Sequence, residues 1–356
     1  MNDKHFAFLK ELVETPSPSG FEQPAQRVIR RELEGVADEI RTDVMGNVIA
    51  RLAGTGDDPP RVMLAGHCDE IGFMVKYIDD AGFISFAPIG GVDAHLVPGQ
   101  RVLIHAASGP VLGVVGKKPI HLMEAKDRET VVKFKSQFID IGCSDRQSAA
   151  ALVAVGDPVT FAVGMERLQG DRVTSRALDD KMGAFIVARV LQEVKRRGPA
   201  PAELFAVSTV QEELGLRGGT TSAYGVDPDV GIAVEVGFAT DYPEIDKKEV
   251  GDVRLGLGPV LTRGANVNPA LFELLVETAR AERIPFQVMG APRATGTDAN
   301  VMQLSRRGVA TALVSVPLRY MHTPVEVLSL ADLEHTVQLL AALIYRIDAR
   351  HRFIPN

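Results

Sequence analysis

A chain of 356 residues, 46% of them apolar, is long enough for two domains and too apolar for a disordered protein. Its net charge of −7 argues against a nucleic-acid partner, which requires a basic surface, and the absence of any apolar run near twenty residues argues against a membrane span. Two cysteines, Cys68 and Cys143, cannot form a disulfide framework, so we expect a reducing, cytoplasmic location.

The first 70 residues predict an α/β arrangement. Two amphipathic helices, in "HFAFLKELVE" and "FEQPAQRVIRRELEGV", precede a hairpin whose turn holds Gly46 and Asn47. An apolar strand then leads into "GHCDEIGFMV". His67 and Asp69 are two residues apart in that segment, which places both side chains on one face of a strand.

Residues 71–158 have a different pattern. Short segments rich in valine and phenylalanine, such as "GFISFAPIGG" and "QRVLIHAASGPVLGVVG", are separated by glycine and proline. This pattern predicts a small β-rich barrel or sandwich, with one helix in "SDRQSAAALVAV", inserted into the α/β domain.

The α/β pattern resumes after residue 158. Continuous apolar segments such as "ELFAVSTV", "DVGIAVEVG" and "VATALVSVP" alternate with amphipathic helices. We therefore expect a mostly parallel sheet with helices on both faces, formed by residues 1–70 and 159–356 together.

Histidine and acidic side chains occur at the ends of the predicted strands. Because ligands gather at the carboxyl ends of parallel strands, these side chains should meet in one crevice. They are His67, Asp69, Asp179, Asp180, Glu212, Glu213, Glu235 and His322. Each also has an ordinary explanation: the adjacent aspartates could cap a helix, the adjacent glutamates could form a solvated turn, and either histidine could be structural.

Several carboxylates in one crevice would repel one another and lose solvation unless one or two divalent cations neutralised them. Histidine with carboxylate ligands suits Zn²⁺, Co²⁺ or Mn²⁺ better than Ca²⁺ or Mg²⁺. Of the adjacent Glu212 and Glu213, one could bind metal while the other transfers protons.

Five motifs in order along the chain resemble one known family. They are "GHCDEIGFMV", "RALDDKMG", "VQEELGLRGG", "GTDANVMQ" and "PLRYMHTPVEV". Together they resemble the two-metal aminopeptidases of the tetrahedral (TET-type) family, which includes glutamyl and deblocking aminopeptidases and members labelled endoglucanase. The likeness covers nearly the whole chain, including the β-rich insertion. It implies an aminopeptidase with two divalent metal ions per subunit, acting on short peptides with a free N-terminus.

The resemblance also implies the metal ligands. His67 and Glu235 would bind one ion. Glu213 and His322 would bind the other, and Asp179 would bridge both. Many relatives have aspartate where this chain has Glu235, but glutamate is also able to bind metal.

The resemblance implies further roles beside the ligands. Glu212 would be the general base, and Asp69 would orient His67 from behind. The peptide bond after Asp179 is often cis in relatives. Self-association is also implied, as dimers that involve the inserted domain and assemble into tetrahedral dodecamers.

Other functions and the substrate preference stay open at the level of sequence. The alternatives are a carboxypeptidase or N-acyl-amino-acid deacylase on a related two-metal scaffold, a glycoside hydrolase that uses Glu212, and a non-enzymatic shell-forming or binding protein. Four arginines lie near the motifs, and each could recognise an acidic substrate residue or be an ordinary surface residue. They are Arg217, Arg263, Arg293 and Arg319.

Overall fold

The structure, a computed structural model, describes residues 1–355. Its helices are α1 (Asp3–Glu14), α2 (Gln23–Leu33), α3 (Arg146–Ala150), α4 (Leu178–Arg197), α5 (Arg217–Val226), α6 (Lys247–Val250), α7 (Pro269–Ala281), α8 (Ala299–Met302) and α9 (Leu330–Ile344). In the described part of the chain, none of these helices has the length and apolar character needed to cross a membrane.

The strands are short and distributed along the whole chain. They are β1 (Glu39–Thr42), β2 (Val48–Leu52), β3 (Arg61–His67), β4 (Gly72–Ile78), β5 (Ile84–Ile89), β6 (Arg101–Ala106), β7 (Gly109–Gly116), β8 (Phe138–Asp140), β9 (Pro158–Phe161), β10 (Glu166–Arg167), β11 (Arg172–Ser175), β12 (Glu203–Thr209), β13 (Val230–Phe238), β14 (Val260–Gly264), β15 (Gln287–Ala291), β16 (Ala310–Leu318) and β17 (Glu326–Ser329).

An eight-stranded sheet forms the centre of the α/β part, in the order β1-β2-β12-β3-β13-β16-β14-β15. Its middle strands β12, β3, β13 and β16 are parallel, as predicted. Toward the two edges, β2 pairs antiparallel with β12, and β14 pairs antiparallel with β16, so the whole sheet is mixed. The parallel centre aligns the carboxyl ends of its strands at one edge.

Alternate residues of the sheet contact helices on opposite faces. Val62 and Leu64 of β3 belong to the large core that includes residues of α1, α2, α4 and α9. Met63 and Ala65, which point to the other face, pack with residues of α5 and α8. This confirms the predicted arrangement of a sheet between two helical layers.

The β-rich insertion is a closed barrel with strands in the order β4-β5-β8-β7-β6-β9. It has its own core, in which Phe73 lies edge-to-face with Phe86 and Phe161, at centroid distances of 5.1 and 5.3 Å. The sequence left open a barrel or a sandwich, and the structure shows the barrel. Its strands lie between Gly72 and Phe161, while the exact domain limits of residues 71–158 stay a prediction.

A small antiparallel sheet, β10-β11-β17, lies beside the start of α4. Its register pairs Ser175 with Glu326. This pairing brings Glu326, which is distant in sequence, next to the segment that carries Asp179. The small sheet therefore places a buried carboxylate behind the crevice at the end of the parallel strands.

Candidate metal centre

The structure brings the predicted site residues together at the carboxyl edge of the parallel strands. His67 is the last residue of β3, and Glu235 lies near the end of β13. Three more segments complete the crevice: the turn after β12, the start of α4 and the loop after β16. These segments carry Glu212, Glu213, Asp179 and His322.

Asp179 lies between two histidine–carboxylate pairs. Its Oδ1 is 3.4 Å from His67 Nε2, and its Oδ2 is 3.3 Å from His322 Nε2. On the first side, Glu235 Oε2 is 3.6 Å from His67 Nε2. On the second side, Glu213 Oε1 is 3.2 Å from His322 Nε2. Each carboxylate oxygen of Asp179 thus faces a different half of the site.

These separations fit a divalent cation in each half. A tetrahedral ion with nitrogen and oxygen ligands at about 2.0–2.2 Å keeps its ligand atoms about 3.3–3.6 Å apart. The observed donor–donor distances span 3.2 to 3.6 Å. Glu235 meets this spacing to His67 despite its extra methylene. The ligand atoms of Asp179, Glu213 and His322 lie within 4.8 Å of one another, as the second half requires, and those of His67 and Glu235 form a group of the same kind with Asp180.

Both histidines are oriented by backbone carbonyl oxygens. His67 Nδ1 lies 3.1 Å from the Asp69 oxygen, and His322 Nδ1 lies 3.0 Å from the Gly91 oxygen. A carbonyl only accepts hydrogen bonds, so each Nδ1 donates to it, and each Nε2 faces the crevice as the nitrogen that can bind metal once deprotonated. Without metal, hydrogen bonds to Asp179 and Glu213 raise the pKa of His322 to about 11. A Cβ at position 91 would lie 3.1 Å from His322 Nδ1, so glycine permits this close approach of the inserted segment.

The Asp69 side chain holds the Glu212–Glu213 turn. Its Oδ1 accepts a hydrogen bond from the backbone nitrogen of Glu212 at 3.0 Å, and its Oδ2 accepts one from that of Glu213 at 3.1 Å. Ser19 Oγ also donates to Oδ2, at 2.6 Å. Asp69 Oδ1 is 3.4 Å from His67 Nδ1, farther than the Asp69 backbone oxygen. Asp69 therefore contacts both the histidine and the glutamate turn.

Two buried carboxylates take part without having been given a role from the sequence. Asp180 Oδ2 accepts a hydrogen bond from the His67 backbone nitrogen at 3.2 Å, and the peptide bond between Asp179 and Asp180 is cis. The ligand atoms of His67, Asp180 and Glu235 lie within 4.8 Å of one another, so Asp180 could also contact an ion. The adjacent aspartates of "RALDDKMG" were the available signal.

Glu326 is the second of these carboxylates. Its Oε2 accepts a hydrogen bond from the Asp179 backbone nitrogen at 3.1 Å, and its Oε1 accepts one from that of His322 at 3.0 Å. One side chain thus joins two segments of the site. Its position within "PLRYMHTPVEV" was the signal in the sequence, but nothing local indicates that it reaches Asp179.

Burial and mutual repulsion disfavour the charged form of several of these carboxylates. Burial raises the pKa of Glu212 to about 8, although His67 opposes the shift. Burial also raises the pKa of Glu235, and the nearby charge of Asp180 raises it further. By contrast, His322 and His67 outweigh burial at Asp179 and bring its pKa down to about 2. A bound cation would favour the charged form of all these carboxylates.

Residues 46–339 match the M42 glutamyl aminopeptidase family. The chain belongs to this family. The M42 chain is 40% identical over 339 residues to a lysyl aminopeptidase of Pyrococcus furiosus, which covers 94% of this chain and 95% of the relative.

Two solved structures of similar chains agree with the M42 assignment. A TET aminopeptidase from a marine sediment archaeon of the Thaumarchaeota superposes with a TM-score of 0.93 at 34% identity, covering 98% of both chains. The Pyrococcus horikoshii TET1 peptidase, which can assemble into a tetrahedron or a large octahedral shell, has a TM-score of 0.86 at 30% identity, covering 96% of this chain and 100% of that one.

The M42 chain is therefore a metal-dependent aminopeptidase, a hydrolase that acts on N-terminal residues of peptides. This confirms the family and the enzyme class predicted from the motifs, and it favours the aminopeptidase over the other functions left open. The family implies divalent metal ions, and the M42 crevice holds histidine and carboxylate groups able to bind them.

Proposed function

We propose that this aminopeptidase binds two divalent ions per subunit, with zinc as the preferred metal and cobalt or manganese as possible replacements. His67 and Glu235 hold one ion. Glu213 and His322 hold the other, and Asp179 is shared. The observation that carries this proposal is the position of Asp179, whose two oxygens lie 3.4 and 3.3 Å from the Nε2 atoms of different histidines. Nitrogen and carboxylate donors at tetrahedral spacing favour zinc.

The reaction is hydrolysis of the first peptide bond. When bound, the ions supply Lewis acidity, which acidifies water and polarises the peptide carbonyl. Glu212 is the general base: its Oε2 lies 3.6 Å from His67 Nε2, at the edge of the ligand set and facing the crevice. It removes a proton from the attacking water and delivers that proton to the nitrogen of the leaving peptide. The products are a free amino acid and a peptide shortened by one residue.

Asp69 is a positioning residue in this scheme. Its hydrogen bonds to the backbone of Glu212 and Glu213 fix the turn that carries the base and one ligand. Its contact with His67 fixes the ring of another ligand. A single buried carboxylate thus fixes the positions of the base and of one proposed ligand from each half of the site.

The substitution Glu212→Gln tests the assignment of the base. Glutamine keeps the shape of the side chain but cannot take up a proton, so kcat should fall by about 10²–10⁴-fold while the metal content stays unchanged. Glu203→Gln is the matched control, because Glu203 is also buried but pairs with Arg51, away from the crevice. Full activity in Glu212→Gln protein would rule out Glu212 as the base.

We also propose that the chain self-associates through the barrel, forming dimers that build a tetrahedral dodecamer. The barrel carries apolar side chains exposed to solvent, among them Tyr77, Leu112 and Val114 on its strands and Leu122 in a connecting segment. Leu112 and Val114 are two residues apart on β7 and therefore share one exposed face of that strand, and adjacent exposed apolar groups are typical of protein interfaces. Light scattering of Leu112→Glu/Val114→Glu protein should show a smaller particle than the unaltered chain, and an unchanged mass would exclude this face.

A further inference from the structure

An open cavity of about 690 Å³ adjoins the metal centre. Beyond the proposed ligands and Glu212, its wall is mainly apolar, which suits an apolar ligand group. The larger apolar side chains of the wall are Leu216, Val236, Phe238, Met289, Leu313 and Met321. Among the described residues that line the cavity, Arg293 is the charged one outside the metal centre and its base.

The four arginines near the motifs have different surroundings. Arg319 pairs with Asp241 at 2.7 Å. Arg217 donates to Gln211 Oε1 at 3.1 Å, and Arg263 lies over a phenylalanine ring; neither lines the cavity. Arg293 lies in the loop after β15, is exposed, and lines the cavity. The structure thus reduces four candidates for substrate recognition to one.

We propose that this cavity receives the side chain of the substrate's first residue and prefers large apolar side chains. Arg293 makes a substrate with an acidic first residue a better substrate than one with a basic first residue. The proposal rests on the proposed function, because the scissile bond must lie at the metal centre for that side chain to enter the cavity. With the ligand carboxylates bound to metal, Glu212 and Arg293 are the remaining charged side chains on the wall, and Glu212 lies at the metal centre, 3.6 Å from His67 Nε2. Away from Glu212 the charge on the wall is that of Arg293, so a lysine side chain would meet a like charge there.

Magnitudes decide the order of preference. Burying a leucine-sized side chain favours binding by about 10- to 150-fold over leaving it exposed. An ion pair with an exposed arginine contributes no more than about fivefold, because water and salt screen it. Apolar burial is therefore the dominant effect, and the charge of Arg293 is a smaller correction that separates glutamate from lysine.

The test compares kcat/KM for leucyl, alanyl, glutamyl and lysyl anilides with the metal-loaded enzyme. Leucine should exceed alanine by about tenfold or more, and glutamate should exceed lysine. Arg293→Glu should lower the ratio of kcat/KM for glutamyl to lysyl anilide by about tenfold, since it repels the glutamate side chain and attracts the lysine side chain. The value of kcat/KM for leucyl anilide should change by less than about twofold, because leucine carries no charge. Arg293→Ala should give an intermediate ratio, and Arg263→Glu, outside the cavity, should leave the ratio unchanged.

The outcomes separate this inference from the function on which it rests. Lysine cleaved better than leucine by the unaltered enzyme, or an unchanged glutamate-to-lysine ratio in Arg293→Glu protein, would overturn the inference and leave the aminopeptidase mechanism intact. Loss of every free-amine activity in the metal-loaded native enzyme would instead overturn the proposed function.

Discussion

Glu326 is expected to control metal affinity without being a ligand. Its two oxygens accept hydrogen bonds from the backbone nitrogens of Asp179 and His322, at 3.1 and 3.0 Å. In Glu326→Gln protein, one of these oxygens becomes an amide nitrogen, which cannot accept a hydrogen bond. The backbone N–H of either Asp179 or His322 then faces the new amide NH₂ group and has no acceptor. Position 326 is buried, so water does not replace the lost hydrogen bond.

The magnitude follows from that lost hydrogen bond. Leaving a buried N–H without a partner costs about 1–3 kcal/mol, which corresponds to about 5- to 150-fold in an equilibrium constant and sets an upper limit on the change in metal affinity. Loss of a residue that orients metal ligands typically weakens metal binding by about 10- to 100-fold. The zinc dissociation constant of Glu326→Gln protein should therefore rise by about 10- to 100-fold.

Competition for zinc with a coloured chelator measures this constant directly. Glu203→Gln is the control, since it makes the same chemical change at another buried glutamate, one that pairs with Arg51. It should leave zinc affinity unchanged. Equal zinc affinity in Glu326→Gln and unaltered protein would show that Glu326 does not support the ligands, and so would an equal loss of affinity in Glu203→Gln protein.

Two further predictions concern buried carboxylates. Glu70→Gln should lower the free energy of unfolding, measured with guanidinium, by about 3–5 kcal/mol, because it leaves buried Arg176 and Lys181 without their carboxylate. Glu193→Gln, at an ion pair that is partly exposed, is the control and should lower it by about 1 kcal/mol or less. Burial alone would raise the pKa of Glu70, but Arg176 and Lys181 lower it from 4.5 to about 2. The contribution of Glu70 to stability is therefore complete above pH 4.5 and is lost as pH falls toward 2. Equal dependence of stability on pH in native and Glu70→Gln protein would contradict this. Asp69→Asn should reduce kcat by at least about tenfold with zinc still bound, as measured by steady-state kinetics and elemental analysis.

The sequence predicts the convergence of the site because of a general property of parallel sheets. His67 and Glu235 lie on strands that pair in parallel, so their carboxyl ends meet at the same edge whatever the details of packing. The pair Glu212–Glu213 follows a third strand of the same parallel set. A strand that is apolar at every position is buried on both faces, so the continuous apolar segments also predict a helical layer on each side of the sheet.

Other features depend on contacts between distant segments, which local patterns do not encode. Glu326 reaches Asp179 because β11 and β17 pair in one register, and a shift of one residue would turn its side chain to the other face. Gly91 reaches His322 because the barrel closes against the α/β part. Arg293 could not be separated from the other arginines, because the sequence does not show which loop borders the cavity.

Two cations are proposed to neutralise the carboxylates around Asp179, and diffraction from a zinc-loaded crystal at the zinc absorption edge would locate them. Two anomalous peaks per subunit are expected on opposite sides of Asp179, one about 2.0–2.1 Å from His67 Nε2 and the other at the same distance from His322 Nε2. A zinc-loaded crystal with no peak beside Asp179, or with zinc only at other residues, would contradict this proposal.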